Sequence, residues 1–207
     1  VSRRLLVFVA LAVASPSAAR ADDGTSMGFA LLGGFARPIC HALDACGDHL
    51  GVAPSLQAQV SFAPYPTLAL GFLGQLTRVH WHTLWEGQIA GQPPFPVDAD
   101  LTVGFGGGFA RFVPRPEWRV TPLFQLALGV TRQTESGGGL ACHGRFSPTV
   151  QAAVGVRGRM TSSLSILGAL GLASGAADEC SISDAPNVPF VGWGLTFHAG
   201  VGYDLPL

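Results

Sequence analysis

The residues of this sequence best suited to chemistry are its cysteines and histidines. Cys40 and Cys46 flank His41-Ala42-Leu43-Asp44-Ala45, while Cys142 and Cys180 stand far downstream. An even number of cysteines in an exported chain reads as disulfides, because an oxidising compartment preserves the bond. The favoured pairing is Cys40 with Cys46 and Cys142 with Cys180; the other connectivities remain open. Zinc is the competing chemistry, since His41, His49, His80, His82 and His143 are also at hand. Five residues between cysteines lie outside the usual structural zinc spacing, and oxidation competes with thiolate ligation, so no metal site is expected. His80-Trp81-His82 puts two imidazoles on one side of an extended backbone, but a lone pair of ligands makes a weak site.

Covalent catalysis finds no ready set of groups. A histidine and a serine two residues apart on one strand would make a compact catalytic pair. Here His198 is followed at that spacing by Gly200, His80 by His82, and His82 by Leu84. Gly104-x-Gly106-Gly107-Gly108 resembles a phosphate loop only superficially, because no lysine follows and the chain contains none. A formal net charge of −1 excludes a strongly basic nucleic-acid binder. The expectation is a protein that is not an enzyme and holds no cofactor.

The elements that carry these residues begin with a leader. Arg3 and Arg4 precede an apolar stretch from Leu5 to Ala14, and Ala19-Arg20-Ala21 forms a small-x-small cleavage site before Asp22. Residues 1–21 therefore read as a secretory signal peptide, about half as long in its apolar part as a membrane-spanning helix requires. Residues 22–207 read as one domain. Its composition is unusual: 28 Gly, charged residues at only 12% and hydrophobic residues at 48%. That much apolar material with so little charge excludes a disordered chain.

From Ser26 onward, apolar residues recur at every second position, which is the period of a strand with one oily face. Trp118, Val120, Phe124, Leu126, Leu128 and Val130 share one face, opposite Arg119, Thr121, Gln125, Ala127, Gly129 and Thr131. Phe146, Val150, Ala152, Val154 and Val156 stand opposite Ser147, Thr149, Gln151, Arg157 and Arg159. Val191, Trp193, Leu195, Phe197, Val201 and Tyr203 stand opposite Thr196, His198, Asp204 and four glycines. Five further segments follow the rule more loosely: Ser26 to Arg37, Leu50 to Phe62, Thr67 to Val79, Val97 to Phe112 and Ser163 to Ser174. Their second faces carry Gln57 and Gln59, Gln75 and Thr77, or Asp98, Asp100 and Thr102 among glycines and alanines. Pro54, Pro122 and Pro148 fall inside segments but close to their ends, where bulges are expected to absorb them.

The connections alternate in length. Those at Ala63 to Pro66, Val113 to Glu117 and Met160 to Ser162 are short; the intervening ones are long and hold all four cysteines and most of the acids. Tight turns at one end and free loops at the other describe an up-and-down barrel of the kind that spans outer membranes. A soluble eight-stranded barrel would instead show a charged exterior, for which this sequence has too few charges. On strand number, turn asymmetry, leader and final strand, residues 26–207 resemble the small eight-stranded outer-membrane barrels of Gram-negative bacteria, the OmpA-type class. The family usually ends in an aromatic residue read by the barrel-assembly machinery; this chain ends Asp204-Leu205-Pro206-Leu207.

The expectation is an all-β, eight-stranded, antiparallel, up-and-down transmembrane β-barrel in the outer membrane, with four long loops at the cell surface. Arg119, Gln125, Gln151, Arg157, Arg159, His198 and Asp204 are expected to form a polar network that fills the lumen. Trp81, Trp85, Trp118, Trp193 and Tyr203 are expected to anchor the barrel at the membrane interfaces. Expected partners are outer-membrane lipid, lipopolysaccharide and the assembly machinery. A surface or interaction protein with disulfide-braced loops is the leading reading. A small transport or ligand- or metal-binding barrel, and a lipid-modifying enzyme, are the alternatives.

Overall fold

The computed structural model describes residues 25–39, 52–85, 95–136, 140–142, 146–175, 178–182, 188–190 and 193–207. The expected signal peptide at 1–21, together with Cys40, Cys46, His41, His49, His143 and Val191, lies outside the described residues. The described strands are β1 (Ser26–Ile39), β2 (Ala53–Tyr65), β3 (Leu68–Trp85), β4 (Phe95–Phe112), β5 (Val120–Ser136), β6 (Leu140–Cys142), β7 (Phe146–Arg159), β8 (Leu164–Gly175), β9 (Asp178–Ile182), β10 (Val188–Phe190) and β11 (Trp193–Pro206). Eight of them close a barrel in the order β1-β11-β8-β7-β5-β4-β3-β2. Every pair is antiparallel, and β1 meets β11 over its whole length from Ser26↔Pro206 to Ile39↔Trp193. First and last strands are thus joined and the barrel has no free edge, as backbone groups placed in hydrocarbon require.

Alternation decides what each face does. In β5, Phe124, Leu126, Leu128 and Val130 point outward and are exposed, while Thr121, Leu123 and Ala127 point inward and are buried. The same split holds in β7 and β11, where Val154, Val156, Phe197 and Val201 are exposed and His198 is buried. In β11 the outward apolar face runs from Leu195 to Leu205, about the length of a transmembrane strand. Exposed Leu, Val and Phe recur on the barrel strands other than β4, which far exceeds the apolar patch that a soluble monomer exposes, and hydrocarbon is the medium that suits it. No helix among the described residues is long and apolar enough to cross a membrane.

Several expectations need correction. The Gly-rich β4 is turned the other way: Leu101, Phe105 and Phe109 point inward, and Gly106 and Ala110 outward. The inward phenylalanines occupy room left by inward glycines on the neighbours. A Cβ on Gly71 of β3 would stand 3.0 Å from Phe109 Cε1, and Gly107 faces Gly129 across the β4–β5 ladder. Asp100 and Thr102 therefore lie on the outer surface, not in the lumen.

Trp118 and Arg119 belong to a turn, since β5 begins only at Val120. The Trp118 backbone N–H donates to Arg115 O at 3.1 Å, closing a tight turn ahead of the strand. Arg119 is exposed there and does not line the lumen. No bulge accompanies the prolines: the registers run unbroken through Pro54↔Phe35, Pro122↔Val156 and Pro148↔Val130. Each is the second or third residue of its strand, so the lost donor falls where the ladder is ending. The irregularity between β2 and β3 sits instead at the turn, between Phe62 and Tyr65. Finally, β6, β9 and β10 form a separate three-stranded sheet within the long connections.

Candidate functional site

The lumen is the first candidate. Its middle is a belt of amides and hydroxyls supplied by the inward faces of β2, β3, β5, β7 and β11. Gln59 Nε2 donates to Gln57 Oε1 at 3.1 Å, and Gln75 Nε2 donates to Thr77 Oγ1 at 3.3 Å. Gln151 Nε2 reaches across to Gln75 Oε1 at 3.4 Å. Thr131 and Thr149 share a hydroxyl hydrogen bond at 2.7 Å. Leu73, Phe105, Phe109 and Ala127 form an apolar cluster beside this belt, and Leu32, Val113, Leu123 and Leu167 form another. The cavity left at this level measures only about 30 Å³, roughly one water molecule.

Within the belt, Ser55 Oγ lies 2.9 Å from His198 Nε2 and 3.0 Å from Thr77 Oγ1. A serine against an imidazole is the pairing that nucleophilic catalysis uses. Two features argue against that use here. Ser55 and His198 are both more than nine-tenths buried among lumen side chains, and no carboxylate is bonded to His198 among the described residues. The pair satisfies two buried polar groups that would otherwise be costly.

Toward the short-turn end the lumen changes character. Arg111 donates from Nε and Nη2 to Gln125 Oε1 at 3.1 and 2.9 Å, and from Nη2 to Gln59 Oε1. Arg157 Nη2 donates to Asp204 Oδ2 at 2.5 Å, and Arg159 Nη2 to Pro116 O at 2.6 Å. Gln59, Arg111, Arg157, Arg159 and Asp204 border a cavity of about 380 Å³ that opens between the turns.

The long-loop end carries an outward polar collar above the apolar belt. Arg78 Nη2 contacts Asp100 Oδ2 at 2.9 Å, and His80 Nδ1 lies 3.1 Å from Asp100 Oδ1. The hydrogen bond from Arg78, and after it that from His80, holds the Asp100 carboxyl below the usual carboxylate range. On the adjacent strand the Arg132 guanidinium sits 5.5 Å from the centroid of the Phe146 ring. No group of three metal-ligating side chains occurs among the described residues.

Of the residues singled out from the sequence, the structure brings Gln125, Gln151, Arg157, Arg159, His198 and Asp204 to the lumen or its mouth. Sequence reasoning missed Arg111 and Ser55, both of which lie at the centre of hydrogen-bonded sets. Tyr203 points outward near the short-turn end, and Trp118 is half-exposed in its turn, where Arg115 lies 5.8 Å from the ring centroid. For Trp81, Trp85 and Trp193 the backbone is described, at the ends of β3 and β11, but not the side chains. Cys142 and Cys180 are direct register partners in the β6–β9 pair.

No family model matches the sequence, and no curated protein matches it. Solved structures do resemble the fold. Neisserial surface protein A superposes with a TM-score of 0.53 at 15% identity, over 87% of this chain and 96% of that one. The outer membrane protein OprG from Pseudomonas aeruginosa superposes with a TM-score of 0.61 at 8% identity, over 89% of this chain and 97% of that one. The described strands thus have the closed, eight-stranded, antiparallel barrel fold shared by these small outer-membrane barrels.

Proposed function

We propose that the mature protein is a non-enzymatic outer-membrane barrel of a Gram-negative bacterium, with a closed lumen and disulfide-braced loops that meet a partner at the cell surface. The observation that carries this reading is the filled middle of the barrel. About 30 Å³ of free space at the amide belt leaves little room for a solute there. The small lumen of an eight-stranded barrel, filled by its own side chains, is a scaffold rather than a pore. The apolar exterior supports the location, and the expected leader at residues 1–21 agrees with it. Outward Arg37, Arg78 and Arg132, all at the long-loop end, suit the phosphate layer of lipopolysaccharide. The buried Ser55–His198 pair, out of reach of lipid, supports the absence of catalysis.

The purified mature barrel in planar bilayers is expected to give no reproducible conductance steps. Steps of uniform size in the wild-type protein would replace this reading with that of a transport barrel.

The register of β6 and β9 supports the loop brace. Residues directly opposite in an antiparallel pair have Cα atoms roughly 4.5–5.5 Å apart, inside the range a disulfide spans. Non-reducing proteolysis and mass spectrometry are expected to recover a peptide pair joined through Cys142 and Cys180. Recovery of both as free thiols from freshly extracted membranes would remove the brace from the proposal.

A further inference from the structure

The cavity at the short-turn end has a charge imbalance that the barrel does not resolve. Arg111, Arg157 and Arg159 line it, and Asp204 is the one acidic side chain lining it among the described residues. The terminal residue Leu207 lines it too, so three guanidiniums face two carboxylates and one positive charge is left over a space of about 380 Å³. Glu117, on the turn at the mouth, lies 3.8 Å from Arg115. The donors are also underused. A guanidinium offers five N–H groups, yet Arg157 spends one on Asp204, and Arg159 spends one on Pro116 O.

The walls keep this space open. A Cβ on Gly28 would stand 2.7 Å from Ser61 Oγ and 3.0 Å from Asp204 Oδ1, and one on Gly202 would stand 2.9 Å from Ser165 Oγ. Glycine at these two positions leaves the serine hydroxyls and the carboxylate room to face the cavity. Elsewhere in the lumen, inward space is filled by Phe105, Phe109 and the amide belt; here it is left empty and lined with donors.

We infer that this vestibule binds a phosphoryl anion, either as free phosphate or as a small phosphate monoester. The surplus positive charge favours an anion, and the planar fork of arginine pairs with phosphate oxygens two at a time. The serine hydroxyls supply further donors to the remaining oxygens. Because the amide belt closes the lumen above it, the site is entered and left from the short-turn end only. The inference rests on the cavity and its charges and holds whether or not the loops bind a partner.

The test is calorimetric titration of the full mature chain, folded in zwitterionic detergent at low chloride, with inorganic phosphate and separately with glycerol 3-phosphate. Saturable binding of one equivalent of either is expected, and the arm that binds more tightly identifies the source. Arg159→Gln is expected to weaken binding at least tenfold. Asp204→Asn is expected to tighten it severalfold, because it removes the competing carboxylate and frees Arg157. Heat-modifiable migration on gels confirms that each variant is folded, and Arg132→Gln, outside the lumen at the other end, should leave binding unchanged. Two results overturn the inference: no saturable binding of either anion by the wild-type barrel, or weakening by Asp204→Asn equal to that of Arg159→Gln.

Discussion

Gly34→Ala is expected to prevent stable closure of the barrel, whereas Gly33→Ala, one residue away, leaves it intact. A Cβ on Gly34 would fall on the Phe197 carbonyl oxygen and 2.8 Å from His198 Cα, both backbone atoms of β11. A flexible side chain can swing aside from a new methyl group; a hydrogen-bonded strand cannot. The pair involved is also the seam where first and last strands meet, with Gly34 facing His198 in register. Moving β1 away from β11 would strain that whole ladder rather than one contact. Gly200 meets β1 in the same way, its added Cβ lying 2.6 Å from Leu32 Cα. Overpacking a well-filled interior usually costs about 1–3 kcal/mol, and a clash with backbone at the closing seam belongs at or above the top of that range. At Gly33 the Cβ would meet nothing within 4 Å, because this residue faces outward. Urea unfolding in micelles, followed by gel migration of unheated samples, should show a large loss for Gly34→Ala and little for Gly33→Ala. Equal stability of the two variants would mean that β1 and β11 do not approach this closely.

The contrast between adjacent glycines also marks how far a single sequence can be read. Period-two alternation identified all eight barrel strands, because one strictly apolar face leaves little choice of register in β5, β7 and β11. It did not say which way β4 faces. Phe105 and Phe109 share a face, as alternation requires, but the rule that large apolar residues face lipid fails where the neighbours are small. Inward Gly71, Gly107 and Gly129 open a pocket in the wall, and the phenylalanines fill it from inside. That compensation runs across three strands and leaves no local signal. Arg111 was missed for the same reason, since it stands on the face of Phe105 and Phe109 that read as oily. Arg119 was misplaced because the alternation was extended two residues past the start of β5 at Val120. Ser55 and His198 are 143 positions apart and meet only because β1 brings β2 and β11 to its two sides. The one available clue was that Ser55 shares its face with Gln57 and Gln59. The strands β6, β9 and β10, three to five residues long, are too short to establish a period.

Leu126→Arg separates the membrane barrel from its soluble counterpart by sign as well as size. Leu126 stands near the middle of the outward run Phe124, Leu126, Leu128 and Val130 and is half-exposed on the bare barrel. If that surface met water, a charge there would cost little and would improve solubility. In hydrocarbon it should cost about 2–4 kcal/mol, because an arginine at mid-depth on a barrel's lipid face must drag water inward or bend toward an interface. The chain contains its own reference point. Arg132 lies on the same face of β5 only six residues on, seated at 5.5 Å over the Phe146 ring, beyond the last aliphatic residue of the run. Native arginine is therefore accepted at the edge of the belt, and the penalty should fall steadily from Leu126 through Leu128 and Val130 toward that position. Folding equilibria of Leu126→Arg, Leu128→Arg and Val130→Arg in phospholipid vesicles measure the gradient directly. A depth-dependent loss, largest at Leu126, locates the bilayer midplane on β5. A flat response near zero would show that this face does not meet hydrocarbon, and the transmembrane barrel would fall with it.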